Sequence, residues 1–402
     1  MDTTRAHAEA LDRVDPLGSF RDRFVIPDPG VVYLDGNSLG RLPRATAERL
    51  SRVVGDEWGG ELIGAWDHWL DLPVRLGDRL ATTLLGAQPG EVIVADSTTV
   101  NFFRLATAAL DARPDRRAIV TDRANFPTDR YVLEGLAASR GVEIRWLDTA
   151  ADGGPEPGDV AKALDEDVAL VTLCHVDYRS AAIADMEAIT ALAHDAGALI
   201  LWDCCHSLGA IPVELDGSGA DLAVGCTYKY LNAGPGAPAF LFIRRELQGR
   251  LRNPIQGWFG QRDQFAMGPT FDARAGIEGW LVGTPSVLSL VGVEMGIAVA
   301  AEAGIAEIRR KGVALTVYAV ELFDAWLESE GFVLGSPRDS RRRGSHVTVR
   351  RADARALAGE LIAAGVVPDF RAPDGLRLGL SPLTTRFVDV WDGLDRLREL
   401  AR

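Results

Sequence analysis

The stretch ALILWDCCHSLGAIPVELDGSGADLAVGCTYKY, residues 198–230, contains two short apolar runs, each leading to a charged residue. The first, ALILW, delivers Asp203, with His206 three positions on. The second, in DLAVGCT, is followed by Lys229 between Tyr228 and Tyr230. Apolar runs of this length without polar alternation fit strands covered on both faces, the pattern of a parallel sheet between helices. Ligands of such sheets bind beyond the carboxyl ends of the strands, which is where Asp203 and Lys229 fall.

Further strands and helices alternate on either side. EVIVA (91–95), RAIVTD (117–122), EIRWLD (143–148), VALVTLCHV (168–176) and AFLFIRR (239–245) read as buried strands. TTVNFFRLATAALD and MEAITALAHDAG, the latter ending at Gly197, read as helices between them. This is an α/β fold with a mostly parallel sheet. Near residue 300 the texture changes to long helix with a break near Gly304. A compact α+β unit follows, made of GFVLGS, HVTVR, the helix ADARALAGELIAAG, VVPDF, LRLGLS and a last helix from about Arg386. The expected division is an N-terminal arm over 1–45, a large domain over 46–300 and a smaller C-terminal domain over 301–402.

Composition narrows the function. A formal charge of −14 argues against nucleic acid and against anionic membranes as partners. No apolar run approaches the ~18 residues of a membrane span, and the polar start MDTTRAHAEALDRVD has no signal-peptide pattern. Cys174, Cys204, Cys205 and Cys226 read as small buried residues of a reduced, cytoplasmic protein, and no metal site is expected.

Lysine is scarce. The chain has 43 Lys and Arg, of which only Lys162, Lys229 and Lys311 are lysine. A guanidinium cannot form an imine, whereas a desolvated amine can. Lys229 is thus either a snorkelling surface cation or a reactive amine, and its setting among tyrosines and the small-residue run NAGPGAPA favours the amine. Asp203 either caps a turn or pairs with a buried cation such as a protonated pyridine nitrogen. Together they are what a pyridoxal phosphate enzyme needs: a lysine for the Schiff base and an aspartate to keep the ring nitrogen protonated. Thr98 and Thr99 open a helix, where they serve as ordinary N-terminal residues or hold a phosphate. Phe126, in ANFPTDRY beside Asp129, either packs or stacks on the ring.

These pieces, with YKYLNAGPG, NFPTD, STTVN, LDGNSLG (34–40), GWFG (257–260) and SPLTTRFVDVWD (381–392), resemble the kynureninases, in that family's order and over nearly the whole chain. The resemblance implies fold type I of the pyridoxal phosphate enzymes, close to the class V aminotransferases. It implies hydrolytic cleavage of the Cβ–Cγ bond of L-kynurenine or a ring-substituted kynurenine to an anthranilate and L-alanine. By the same resemblance Thr98 and Thr99 hold the phosphate, Phe126 stacks, and Asp129, Cys174 and His206 join Asp203 around the cofactor. Tyr228 contacts the phosphate and handles protons, and Lys229 carries the cofactor. Arg377, with Asn37 and Ser38, binds the substrate; LRLGLS independently places Arg377 on the strand face opposite Leu376, Leu378 and Leu380, where an arginine is either solvated or functional. Trp258 and Thr284 complete the neighbouring site of a homodimer. Cys174, Gln261 and Thr384 depart from the residues usual in the family. The alternatives are another lyase, a desulfurase or an aminotransferase of the same fold, or a binding protein without activity. A desulfurase needs a cysteine well after the lysine, and none follows Cys226.

Overall fold

The structure, a computed structural model, describes residues 2–402. β1 (Val32–Tyr33) lies outside the main sheet. That sheet contains β2 (Val92–Val94), β3 (Ala118–Asp122), β4 (Glu143–Leu147), β5 (Val168–Cys174), β6 (Leu199–Asp203), β7 (Leu222–Gly225) and β8 (Phe240–Ile243), in the order β2-β8-β7-β6-β5-β3-β4. Only β8 is reversed, pairing antiparallel with both β2 and β7. Every residue of β3, β5, β6, β7 and β8 is buried, while β4 at the edge is mostly not. Burial on both faces therefore explains the unbroken apolar runs.

Helix Val287–Ala303 is largely apolar and packs into the large core; helix Ile305–Trp326 leaves it at 80°. Gly304 makes that corner with φ +77°, a left-handed conformation that any side chain would strain. β9 (Val333–Leu334) and β10 (His346–Arg350) follow, then β11 (Val366–Val367), β12 (Asp369–Arg371) and β13 (Gly375–Gly379). Four of them form an antiparallel sheet in the order β12-β13-β10-β9. The VVPDF stretch is split into two short strands at Pro368, which has no N–H for a ladder. Its first half, β11, pairs with β1 instead.

The N-terminal segment is built into the C-terminal domain. Ala8, Val32 and Leu34 belong to that domain's core, and the Asp12 carboxylate accepts from the amides of Phe387 and Val388 at 2.7 and 3.0 Å, capping the last helix (Phe387–Leu400). Asp15 meets Lys311 at 2.6 Å with both side chains buried. Among the described residues no single helix is long and apolar enough to cross a membrane.

Candidate active site

β6 and β7 are parallel neighbours with Asp203 opposite Val224, so the segments after them leave the sheet at the same edge. There a cavity of about 170 Å³ is lined by Thr98, Thr99, Phe126, Thr128, Asp129, Cys174, Tyr178, Asp203, Cys205, His206, Tyr228 and Lys229. A wider groove on the outer face, from Gln88 to Arg245, contains none of these residues.

Lys229 is buried, its Nζ 2.9 Å from His206 Nε2 and 5.8 Å from the centre of the Phe126 ring. Burial works against its charge, but the surrounding Cys226 and Cys205 sulfurs and the Asp203 carboxylate favour the charged form and raise its pKa. His206, held well below its ordinary value by burial and then by the Lys229 charge, is neutral and accepts a hydrogen bond from the Lys229 ammonium. Gly40 of the LDGNSLG segment donates its amide to the Tyr228 carbonyl at 2.8 Å. A Cβ there would sit 2.3 Å from the Lys229 carbonyl oxygen and 2.7 Å from Asn232 Cα, so only glycine fits. We expect Gly40→Ala to cost roughly 1–3 kcal/mol through this overpacking, read as a lower urea midpoint together with weaker cofactor retention.

At the other end of the cavity the Asp203 Oδ1 accepts from the Cys205 amide at 2.7 Å. Its Oδ2 lies 3.6 Å from Cys174 Sγ, which is 3.0 Å from Asn125 Oδ1. Ligand atoms of Asp129, Cys174 and Asp203 fall within 4.8 Å of one another, all buried. Burial, and next the charge of Asp203, hold Asp129 well above the carboxylate range, so it keeps its proton. Burial likewise raises the Cys174 thiol. The cluster is a nest for one positive charge.

Asp122, at the end of β3, is a second buried acid; its Oδ1 has no partner, and burial, aided by the charge of Asp177, pushes its pKa up to about 7. The folded chain therefore keeps this proton while the unfolded chain loses it near pH 4, so stability falls as pH rises from about 4 to about 7. Asp122→Asn should remove up to roughly 1.4 kcal/mol per pH unit of that slope. Denaturation midpoints should then coincide with the parent's at low pH and exceed them above pH 7.

Thr98 and Thr99 are the first two residues of helix Thr98–Asp111, whose Ser97 cap accepts only from Val100. The remaining first-turn amides are free for an anion. Phe126 meets Tyr178 edge-on at 5.3 Å.

Arg377 is 1% exposed because the large domain covers the second face of β13. Of the two readings of its strand position, solvation is thereby excluded. Its guanidinium donates to the Tyr178 carbonyl at 2.5 Å and to Ser38 Oγ at 3.0 Å, and it pairs with Asp369. Asn37, its amide oxygen turned to the guanidinium, accepts from Arg377 Nε at 2.6 Å. The arm, the large domain and the C-terminal domain thus meet at this one side chain. Trp258 and Thr284 do not line the cavity: Trp258 is largely exposed against Phe259, and Thr284 lies near Asp96 and Pro238. Gln261 accepts from the Asp272 amide, and Thr384 is buried under Arg21.

Tyr178 and Cys205, which line the cavity, and Asn125, which lies behind Cys174, are groups that the sequence reading did not place in the site. Tyr178 and Cys205 follow strand ends, as Asp203 and Lys229 do, and that was the available signal. The residues fit pyridoxal phosphate: an amine, an anion-binding helix terminus at one end and an acidic nest at the other.

Residues 308–397 match the family "Kynureninase C-terminal domain", and residues 83–221 match the DegT/DnrJ/EryC1/StrS aminotransferase family. The kynureninase of Pseudomonas fluorescens is 44% identical over 99% of this chain and 95% of its own length; that of Burkholderia pseudomallei (strain 1106a) is 46% identical over the same shares. The chain belongs to the kynureninase family. Solved structures extend the likeness to the fold. A cysteine desulfurase from Thermococcus onnurineus NA1 superimposes with a TM-score of 0.81 at 18% identity, over 98% of both chains. A C-DES variant with glycine covalently linked to its PLP cofactor reaches 0.83 at 18% identity, over 94% of this chain and 99% of its own. Kynureninases and these enzymes share the fold type I architecture.

Proposed function

We propose that this chain is a pyridoxal phosphate-dependent hydrolase acting on C–C bonds of ketonic substrates, cleaving the Cβ–Cγ bond of L-kynurenine or a ring-substituted kynurenine such as 3-hydroxykynurenine to an anthranilate and L-alanine. The observation that carries the reading is 44% identity to a kynureninase along 99% of the chain, joined to a buried amine and a buried carboxylate lining one cavity.

When bound, pyridoxal phosphate supplies an electron sink for the charge left at the substrate α-carbon. The free first-turn amides and the hydroxyls of Thr98 and Thr99 would hold its phosphate. Phe126 would pack against it, and Asp203, with Asp129 and Cys174 beside it, would hold a proton at its nitrogen. Lys229 would anchor the group, and its Nζ, with His206 as neighbour, would take the substrate α-proton. Burial raises the Tyr228 hydroxyl, so it serves as a proton donor near the phosphate and not as the base that activates water. Arg377, oriented by Asn37, Ser38 and Asp369, takes the substrate α-carboxylate in its fork.

The assembly we propose is a homodimer in which Trp258 and Thr284 complete the partner's cavity. Their position outside this chain's own cavity supports it, as do exposed Trp58, Leu62, Ile63 and Leu288. Four buried free thiols favour a cytoplasmic setting, and the acidic chain suits a small-molecule substrate without nucleic-acid or membrane partners.

Product analysis of cofactor-loaded protein with L-kynurenine and 3-hydroxy-L-kynurenine tests this. Anthranilate or its hydroxy analogue with alanine is the expected result. A keto acid instead would indicate transamination, and cofactor binding without turnover of either substrate would overturn the substrate assignment.

A further inference from the structure

Two cysteines meet under the cofactor cavity. β6 and β7 run in register with Asp203 opposite Val224, and the Cys204 amide continues the ladder by donating to the Val224 carbonyl at 2.7 Å. The next step of that register sets Cys205 beside Cys226. Their contacts are reciprocal: the Cys226 amide donates to the Cys205 sulfur at 3.2 Å, and the Cys226 thiol donates to the Cys205 carbonyl at 3.7 Å. Neighbouring strands lie about 4.8 Å apart, inside the roughly 4.4–6.8 Å between Cα atoms that a disulfide bridges. Cys204, by contrast, belongs to the large core and does not line the cavity.

The pair touches both ends of the cofactor-anchoring apparatus. Cys205 lines the cavity with its sulfur 3.8 Å from the Thr98 hydroxyl, and Cys226 stands three residues before Lys229. Both thiols are free.

We propose that Cys205 and Cys226 are a redox-responsive dithiol, which hydrogen peroxide oxidises to a disulfide in the cofactor-free protein and which, once closed, weakens cofactor binding. Two thiols and one peroxide give one disulfide and two waters. Attack of a thiolate on the O–O bond leaves a sulfenic acid and releases the first water; the second sulfur displaces the hydroxyl, forming the S–S bond and the second water. Burial alone would suppress the thiolate, but the Cys205 contact and the Lys229 ammonium outweigh it and hold Cys226 below its ordinary pKa. That ammonium is present while Lys229 is free, and a bound cofactor covers the Cys205 side of the cavity, so cofactor protects the pair. Closure draws the Cys205 sulfur from Thr98 toward Cys226 and removes the Cys226 N–H contact, altering the floor under the phosphate end. Disulfides in reducing compartments are typically transient and redox-sensing.

The protection and the coupling to cofactor rest on the pyridoxal phosphate reading; the disulfide itself does not. The test treats full-length protein, with and without pyridoxal phosphate, with hydrogen peroxide, digests it without reductant, and maps linked peptides by mass spectrometry. Each sample is also titrated with pyridoxal phosphate before and after dithiothreitol. The expected result is a Cys205–Cys226 linked peptide in the cofactor-free sample, scarce in the loaded one. Affinity should fall at least about tenfold, the scale of one lost hydrogen bond to a charged group, and return on reduction. Cys205→Ala and Cys226→Ala should abolish the link and the peroxide response, and Cys204→Ala should keep both. Both sulfurs remaining reduced, or each oxidised singly, would overturn the disulfide. A linked peptide with an unchanged titration would overturn the coupling, and a parent that binds no pyridoxal phosphate would sink the cofactor reading while the peptide map still decides the disulfide.

Discussion

Lys229→Ala is expected to lower turnover by more than about 10⁴-fold, because in the proposed mechanism one side chain supplies both the covalent anchor and the general base. Lys229→Arg should be as inactive: it keeps the charge facing His206 but cannot lose it or form the link. Loss of fold is not the cause we expect. Removing the ammonium leaves the buried Asp203 charge without its cation in the cofactor-free cavity, so the alanine variant should melt lower than the cofactor-free parent while remaining folded at assay temperature. Three measurements separate the possibilities: turnover, the visible absorbance of lysine-linked cofactor, and the thermal midpoint of cofactor-free protein. Loss of turnover with the linked absorbance intact would show that the anchor is elsewhere.

The large domain was legible because its strands are buried on both faces. Runs such as VALVTLC and ALILWD leave no competing reading, and β5 and β6 span Val168–Cys174 and Leu199–Asp203. Asp203 and Lys229 stood out for a related reason, as charged groups placed just where the apolar runs stop. The reversed strand β8 could not be read, since direction in a sheet leaves no mark on a buried strand's composition. Nor could the pairing of β1 with β11, two residues on each side and joined across most of the chain. Arg377 shows the limit most clearly. Alternation placed it opposite the leucines of β13, but what covers that face is Tyr178 from the large domain and Ser38 from the arm. Such a contact depends on how domains dock, which local pattern does not encode. The Cys205–Cys226 juxtaposition is hidden in the same way, because register between strands is a tertiary property.

Asp203→Asn should cost about 10²–10⁴-fold in turnover, and part of that loss should return as the pH is raised. Asparagine keeps the shape and still accepts from the Cys205 amide, but has no charge with which to hold a proton on the ring nitrogen. The neighbouring acid provides the pH dependence. Asp129 keeps its proton because it is buried and, secondarily, because Asp203 is negative beside it. Removing that charge lowers the Asp129 pKa, so with rising pH a carboxylate reappears within 4.8 Å of the lost one. The variant's turnover should rise with pH where the parent's does not, and the Asp129→Asn/Asp203→Asn double variant should show no such rise. Cofactor affinity should change less than turnover in the single variant, since the proposed phosphate contacts at Thr98 and Thr99 and the proposed Lys229 link are untouched. A single variant with a flat pH profile and full activity would mean that neither carboxylate controls the ring nitrogen, and that the acidic nest serves only to hold the strand ends together.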